Sequence, residues 1–239
     1  GAYDAWSARL IEKAGFPAVY MTGYGVSASL IGKPDIGLVS MGEMAAQARY
    51  MVSATNVPVI ADADNGYGNT LNVMRIVQEY EQAGIAAIQL EDQVMPKRCG
   101  HMEGKQVVPK EEMVAKVRAA VQARKGEMVI IARTDARAVI SFDEAIERAQ
   151  AYAEAGADVI FFEAPQSVEE MKTVAATIKK PLLANMVEKG KTPLLTGKEL
   201  EEIGYKIAIY PVSTLYAATK TILDVLAQLK ADDTTANCG

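Results

Sequence analysis

Four times along this chain a helical pattern closes on a glycine and runs at once into a short apolar stretch. Lys13-Ala14-Gly15 precedes Ala18-Val19-Tyr20-Met21, and Gln82-Ala83-Gly84 precedes Ala87-Ile88-Gln89-Leu90. Glu154-Ala155-Gly156 precedes Val159-Ile160-Phe161-Phe162, and Glu202-Ile203-Gly204 precedes Ile207-Ala208-Ile209-Tyr210. Glycine suits the left-handed position just past a helix end, where a Cβ clashes. Apolar runs of four to five residues after such a stop read as parallel strands buried on both faces. Helix starts recur as regularly. Ser40 with Glu43, Ser141 with Glu144, Ser167 with Glu170 and Thr196 with Glu199 have the capping-box spacing, in which hydroxyl and carboxylate each satisfy an orphan backbone N–H. Pro109 ahead of Glu111-Glu112 suits the first turn of a further helix.

Strands are expected at 18–22, 57–63, 87–91, 128–133, 158–163, 181–186 and 206–210, alternating with helices. Such alternation builds a parallel sheet from βαβ units, either open and doubly wound or closed into a barrel. An open sheet carries a Gly-rich phosphate loop after its first strand, of which Gly23-Tyr24-Gly25 is a faint echo. The barrel is preferred: a single α/β domain over 1–239, a (β/α)8 TIM-type barrel whose first strand and C-terminal helices are absent from the sequence. Gly1-Ala2-Tyr3-Asp4 then reads as the loop after that strand, with Asp4 capping the first helix.

The net charge of −5 leaves no basic stripe for nucleic acid, and no apolar run is long enough to span a bilayer. Two cysteines make no disulfide framework, which fits a cytoplasmic setting. A barrel binds at the C-terminal ends of its strands, and here those ends are chemical. They carry Thr22, Asp62 with Asp64, Glu91-Asp92, Arg133-Thr134-Asp135, Glu163 and Asn185. Asp62, Asp64 and Glu91 offer hard oxygen ligands suited to Mg²⁺ or Mn²⁺, whereas one histidine and two separated cysteines argue against zinc. Helix caps and solvated acids are the plainer reading of the same residues. The segment 93–108 is a long structureless connection holding Lys97-Arg98-Cys99-Gly100-His101, and loops of that length commonly serve as lids. Clustered positive charge lowers a thiol pKa, which prepares Cys99 for proton transfer; a free surface cysteine is the plainer alternative. Cys238, in a polar tail, reads as incidental.

Asp62-Ala63-Asp64-Asn65-Gly66-Tyr67-Gly68, Glu91-Asp92-Gln93, Lys97-Arg98-Cys99-Gly100-His101, Arg133-Thr134-Asp135 and Leu183-Ala184-Asn185-Met186 together resemble the isocitrate lyase and phosphoenolpyruvate mutase superfamily. The resemblance runs over almost the whole chain. It implies an Mg²⁺-dependent barrel enzyme acting on 2-oxo or 2-hydroxy acids through an enolate-like intermediate, assembled as a homotetramer. It also implies residue roles. Asp62 would touch the metal, with Asp64 and Glu91 beside it, partly through water. Thr22, Gly23 and Tyr24 would take a substrate carboxylate on backbone N–H groups. Arg133 would hold a carboxylate or oxyanion, and Glu163, Asn185 and Gly100 would add substrate contacts. Cys99 would be the acid/base thiol, tuned by Lys97 and His101. The cysteine loop favours carbon–carbon cleavage of a substituted malate. Rearrangement of a carboxyphosphonate, or hydrolysis or decarboxylation of oxaloacetate, stays open, as does a barrel that binds a small acid without chemistry. Asn65 departs from the Thr more usual after the second aspartate.

Overall fold

In the computed structural model, which describes residues 1–98 and 104–236, all seven expected strands form and pair in parallel in sequence order. They are β1 (Val19–Met21), β2 (Val59–Asp62), β3 (Ala87–Glu91), β4 (Val129–Thr134), β5 (Val159–Phe162), β6 (Leu182–Asn185) and β7 (Ile207–Ile209). Around them run α1 (Ala5–Lys13), α2 (Gly23–Ile31), α3 (Met41–Ala54), α4 (Thr70–Ala83), α5 (Lys110–Ala123), α6 (Ala136–Val139), α7 (Phe142–Glu154), α8 (Val168–Thr177), α9 (Gly197–Ile203) and α10 (Ser213–Asp232). The ring is the (β/α) barrel, and residues 1–2 fill the gap between its first and last strands at the mouth. Ala2 bridges Met21 in parallel, its N–H donating to the Tyr20 carbonyl, while the Gly1 carbonyl accepts from Thr214 Oγ1 at 2.5 Å.

Side chains alternate across each strand, so one set faces the helices and the other fills the ring. Val19, Met21, Ala61, Ile88, Leu90, Ile130, Ile160 and Phe162 pack outward beneath the helices with Val73, Ile76, Val77 and Tyr80 of α4. Tyr20, Ile60, Ala87, Ile131, Val159, Phe161, Leu183 and Ile209 form a separate inner plug. The four glycine stops all have positive φ: Gly15 at 87°, Gly84 at 83°, Gly156 at 110° and Gly204 at 119°.

The caps differ from expectation in detail. Asp4 caps α1 and closes a box with Ser7. Ser40 and Thr196 close full capping boxes, but Ser141 and Ser167 make only the half in which the hydroxyl accepts from the backbone. Glu144 turns to Arg148 at 2.8 Å, whereas Glu170 pairs with Arg137 at 2.7 Å and accepts the Gln166 N–H at 2.8 Å, one residue before the cap. Pro109 stands at the cap of α5, one place before its first turn. The connection 93–108 is not structureless throughout. Gln93 and Val107 form an antiparallel bridge, and Val94 N–H donates to Gln106 O at 2.9 Å, so a short ladder closes its base.

Candidate active site

The mouth follows from strand register. Parallel pairing sets Asp62 beside Gln89 and Glu91 beside Arg133. Each lies two residues past an inward apolar side chain, Ile60 before Asp62 and Ile131 before Arg133, so the alternation that plugs the ring aims these polar groups up its axis. Above the plug lies a cavity of about 300 Å³ whose lining includes the polar Thr22, Asp62, Glu91, Lys97, Arg133 and Asn185 and the apolar Phe161, Val187, Ile209 and Val212. Tyr24 also lines it, edge-on to Tyr216 with ring centroids 6.2 Å apart.

The expected residues that fall within the described part of the chain each have a definite place. Asp62 Oδ2 accepts from Gly23 N–H at 3.3 Å, and Oδ1 accepts from Asp64 N–H at 3.0 Å and Gln89 Nε2 at 3.4 Å. Gly23 therefore spends its N–H on Asp62, contrary to the expectation that it faces a substrate carboxylate. A Cβ there would come within 2.7 Å of Asp62 Oδ2, so the approach demands glycine. Thr22 caps α2, its hydroxyl accepting from Gly25 N–H at 3.2 Å. Arg133 is buried, its guanidinium forked onto Asp135 at 2.9 and 3.0 Å, 3.3 Å from Glu91 and 5.1 Å above the Phe161 ring. Glu163 is fully buried, off the cavity wall, within 3.2 Å of Asn185 Nδ2 and 3.5 Å of Arg133 Nε. Cys99, Gly100 and His101 lie outside the described residues, as does Cys238.

Lys97 does something the sequence did not suggest. It is buried, and its Nζ sits 2.6 Å from both Asp64 and Asp35. Burial alone would lower its pKa, but the carboxylates of Asp64, Asp35, Glu91 and Asp62 outweigh that and hold it well above the usual lysine value. Asp64 is pushed up to about 7, chiefly by burial, with Lys97 pulling the other way. Burial likewise pushes Glu91 well above the carboxylate range against the pull of Arg133.

Among the described residues no group of three or more acids, histidines or cysteines is arranged to cage a metal by itself. Asp64 is taken by Lys97, so Asp62, Asp64 and Glu91 do not converge as a closed trio. A divalent ion of the Mg²⁺ type nevertheless fits, because it asks for one or two carboxylates and otherwise waters and substrate oxygens. Charge supports that fit. Among the described residues five buried cations (Lys97, Lys105, Lys116, Arg133 and Arg148) are outnumbered by seven buried carboxylates, those of Asp35, Asp62, Asp64, Glu91, Asp92, Asp135 and Glu163. Buried negative charge in such excess is costly unless a cation or protons join it. Glu91 Oε1 also has no hydrogen-bond partner among the described residues.

Sequence reasoning missed Asp35, Gln89 and Lys105, which sit in loops or mid-strand with no local pattern to flag them. It placed Asp135 among the strand-end residues and Gln93 at the start of the long connection, without a role for either.

A nearly closed ring of seven parallel strands with buried ions gathered at its C-terminal mouth defines a (β/α)-barrel enzyme. The family model described as phosphoenolpyruvate phosphomutase matches residues 1–230. A 2,3-dimethylmalate lyase of Eubacterium barkeri is 59% identical over 99% of this chain and 82% of its own length. The crystal structure of a 2,3-dimethylmalate lyase superposes with a TM-score of 0.97 at 41% identity, covering 99% of this chain and 80% of that one. A phosphonopyruvate hydrolase in complex with oxalate and Mg²⁺ gives 0.87 at 33% identity, covering 98% and 82%. The chain belongs to the phosphoenolpyruvate mutase/isocitrate lyase superfamily and is a carbon–carbon lyase of that group.

Proposed function

We propose that the protein cleaves a small substituted malate, with 2,3-dimethylmalate the first candidate, into a 2-oxo acid and a shorter carboxylic acid. The observation that carries this reading is the cavity itself. It offers the buried Arg133, held on Asp135 and over the Phe161 ring, beside apolar lining from Phe161, Val187, Ile209 and Val212, in a volume suited to a branched diacid.

Arg133 holds a substrate carboxylate with the edge of its guanidinium not spent on Asp135, and its stacking on Phe161 fixes the angle of approach. Asp62 with Glu91 would hold Mg²⁺, the former oriented by Gly23, Asp64 and Gln89. When bound, that ion supplies positive charge against the oxygens of the oxo-acid half. As the hydroxyl proton passes to Glu91, which lines the cavity and whose Oε1 has no hydrogen-bond partner among the described residues, its carbon becomes the carbonyl of the 2-oxo acid and the neighbouring carbon–carbon bond breaks. The electron pair passes to the departing fragment as an enolate-like carbanion beside its own carboxylate. Cys99 donates the proton that quenches it, with Lys97 and His101 in support. Lys97 serves chiefly by neutralising Asp35 and Asp64. Thr22 and Tyr24 line the carboxylate end, and Glu163 fixes Asn185 at the wall.

The same reading takes residues 1–239 as one barrel domain working in the cytoplasm, where two cysteines stay reduced. It also takes the protein as a homotetramer, supported by Ile222, Leu223, Leu226 and Leu229, which α10 leaves exposed.

The test is a panel of 2,3-dimethylmalate, 2-methylisocitrate and oxaloacetate, assayed with Mg²⁺ and with EDTA. Pyruvate from dimethylmalate, abolished by EDTA and restored by Mg²⁺, is expected. Oxalate with acetate from oxaloacetate would move the protein to hydrolysis. Tight binding of a diacid without any product would make it a binding barrel.

A further inference from the structure

The mouth contains a carboxylate that lies off the cavity wall and gathers four side-chain hydrogen bonds from three residues. Asp135 is fully buried just after β4. Its Oδ2 accepts from Arg133 Nε at 2.9 Å and Gln93 Nε2 at 3.3 Å; its Oδ1 accepts from Arg133 Nη2 at 3.0 Å and Lys105 Nζ at 2.6 Å. Two of those partners lead elsewhere. Gln93 clamps the backbone of Arg98 from both sides, accepting from its N–H at 2.9 Å and donating to its carbonyl at 2.8 Å. Lys105 belongs to the strand of chain that returns toward β3. The hub is itself anchored. Asp135 N–H donates to Asp92 Oδ1 at 2.9 Å, and Asp92 Oδ2 accepts from Thr134 Oγ1 at 2.8 Å, Tyr152 OH at 2.8 Å and Arg148 Nη1 at 3.2 Å.

We propose that Asp135 is a positioning residue that sets two things with one carboxylate: the angle of the Arg133 fork, and the placement of the chain at Arg98 and Lys105 relative to that fork. The idea rests on the reading of Arg133 as the substrate-carboxylate grip. A fork held at both nitrogens by a buried anion cannot rotate to suit a misplaced ligand, because the paired charges would part in a medium that screens them poorly. The two attachments at Arg98 and Lys105 share that anion, so they keep a fixed relation to the grip. Arg148 and Tyr152 bring the rigidity of α7 to the same point. A carboxylate present only to neutralise Arg133 would not need Gln93 and Lys105 on the same two oxygens.

The experiment uses the full Mg²⁺-loaded protein and three variants, Asp135→Asn, Gln93→Ala and the double change. Asp135→Asn should lower kcat/KM about 10²-fold, with the larger share in kcat, as expected when geometry near reacting atoms slips. Gln93→Ala should lower it less, and the double variant should be no worse than Asp135→Asn alone, because both lie on one path. Losses that simply multiply would overturn the proposal. Trypsin supplies a readout independent of turnover. Cleavage after Arg98 and Lys105 should quicken about tenfold in Asp135→Asn while cleavage after Lys179 stays at the wild-type rate; equal rates at Arg98 and Lys105 would overturn the proposal. Should Asp135→Asn fail to fold, Gln93→Ala removes one arm of the hub and decides by the same cleavage rates, and Lys105→Met removes the other and decides by the rate after Arg98, which should quicken in each. A wild-type protein inactive on every diacid would sink the proposed function, and the trypsin rates would still decide the role of Asp135.

Discussion

Two layers of the same strands, one turn of the pleat apart, obey opposite rules. Ile60, Ile131, Val159, Phe161 and Leu183 plug the ring with close-packed apolar side chains. Immediately above, Asp62, Glu91 and Arg133 point the same way as that plug, yet each is buried among charges. The lower layer lowers the free energy of folding by removing apolar area from water, at about 25 cal/mol per Å². The upper layer opposes folding, since desolvated charges recover their hydration only through partners. The contrast predicts that substitutions in the two layers separate cleanly: above the plug they remove activity and spare stability, and within it they do the reverse.

Asp62→Ala should break the upper layer most severely. Turnover should fall by about 10⁴ while the Tm measured without metal stays level or rises, because one of seven buried carboxylates has gone. A Tm that collapses with the activity would show that Asp62 serves the fold. Cys99→Ser is expected next, with kcat lower by about 10³ and substrate binding retained, within the range of proton-transfer catalysis. Unchanged turnover would remove the lyase chemistry and leave the phosphonomutase reading standing. Leu183→Ala then tests the plug. It should cost about 3 kcal/mol of unfolding free energy in denaturant titration, with kcat of the folded fraction near wild type. A large loss of kcat with little loss of stability would erase the distinction between layers.

That separation also explains what could be read from the chain and what could not. Strands, glycine stops and the Asp4 cap are local events, fixed by residues within a few places of one another, and all of them form as expected. So does the inward aim of Asp62, Glu91 and Arg133, which needs only the alternation of a strand. Pairing between charges is not local. Lys97 stands near Cys99 in sequence, yet its Nζ goes to Asp35, 62 places earlier. Gly23 N–H goes to Asp62 across 39 places, and Lys105 goes to Asp135 across 30. The half-formed box at Ser141 shares this cause at smaller scale, since Arg148 takes Glu144, while at Ser167 Glu170 binds both Arg137 and the Gln166 N–H in place of the cap N–H.

The smallest expected effect sits at the seam between the layers and the connecting loop. Asn65 is buried, and its side chain works in two directions: Nδ2 donates to Gln93 O at 3.2 Å and Oδ1 accepts from Tyr67 N–H at 3.1 Å. It thereby ties the turn after Asp64, where φ is 48°, to the base of the 93–108 connection. Lys116 Nζ supports the same turn through the Asn65 carbonyl at 3.2 Å. A threonine has one shorter polar arm and can keep only one of the two bonds. Asn65→Thr should therefore cost about 1 kcal/mol of stability, the net worth of one hydrogen bond. With Lys116 still holding the backbone, KM for the diacid should shift by no more than about threefold, read from steady-state kinetics beside a denaturant curve. A tenfold change in KM with stability intact would mean that Asn65 sets the substrate and not merely the turn, and the boundary between the two layers would have to be drawn one residue higher.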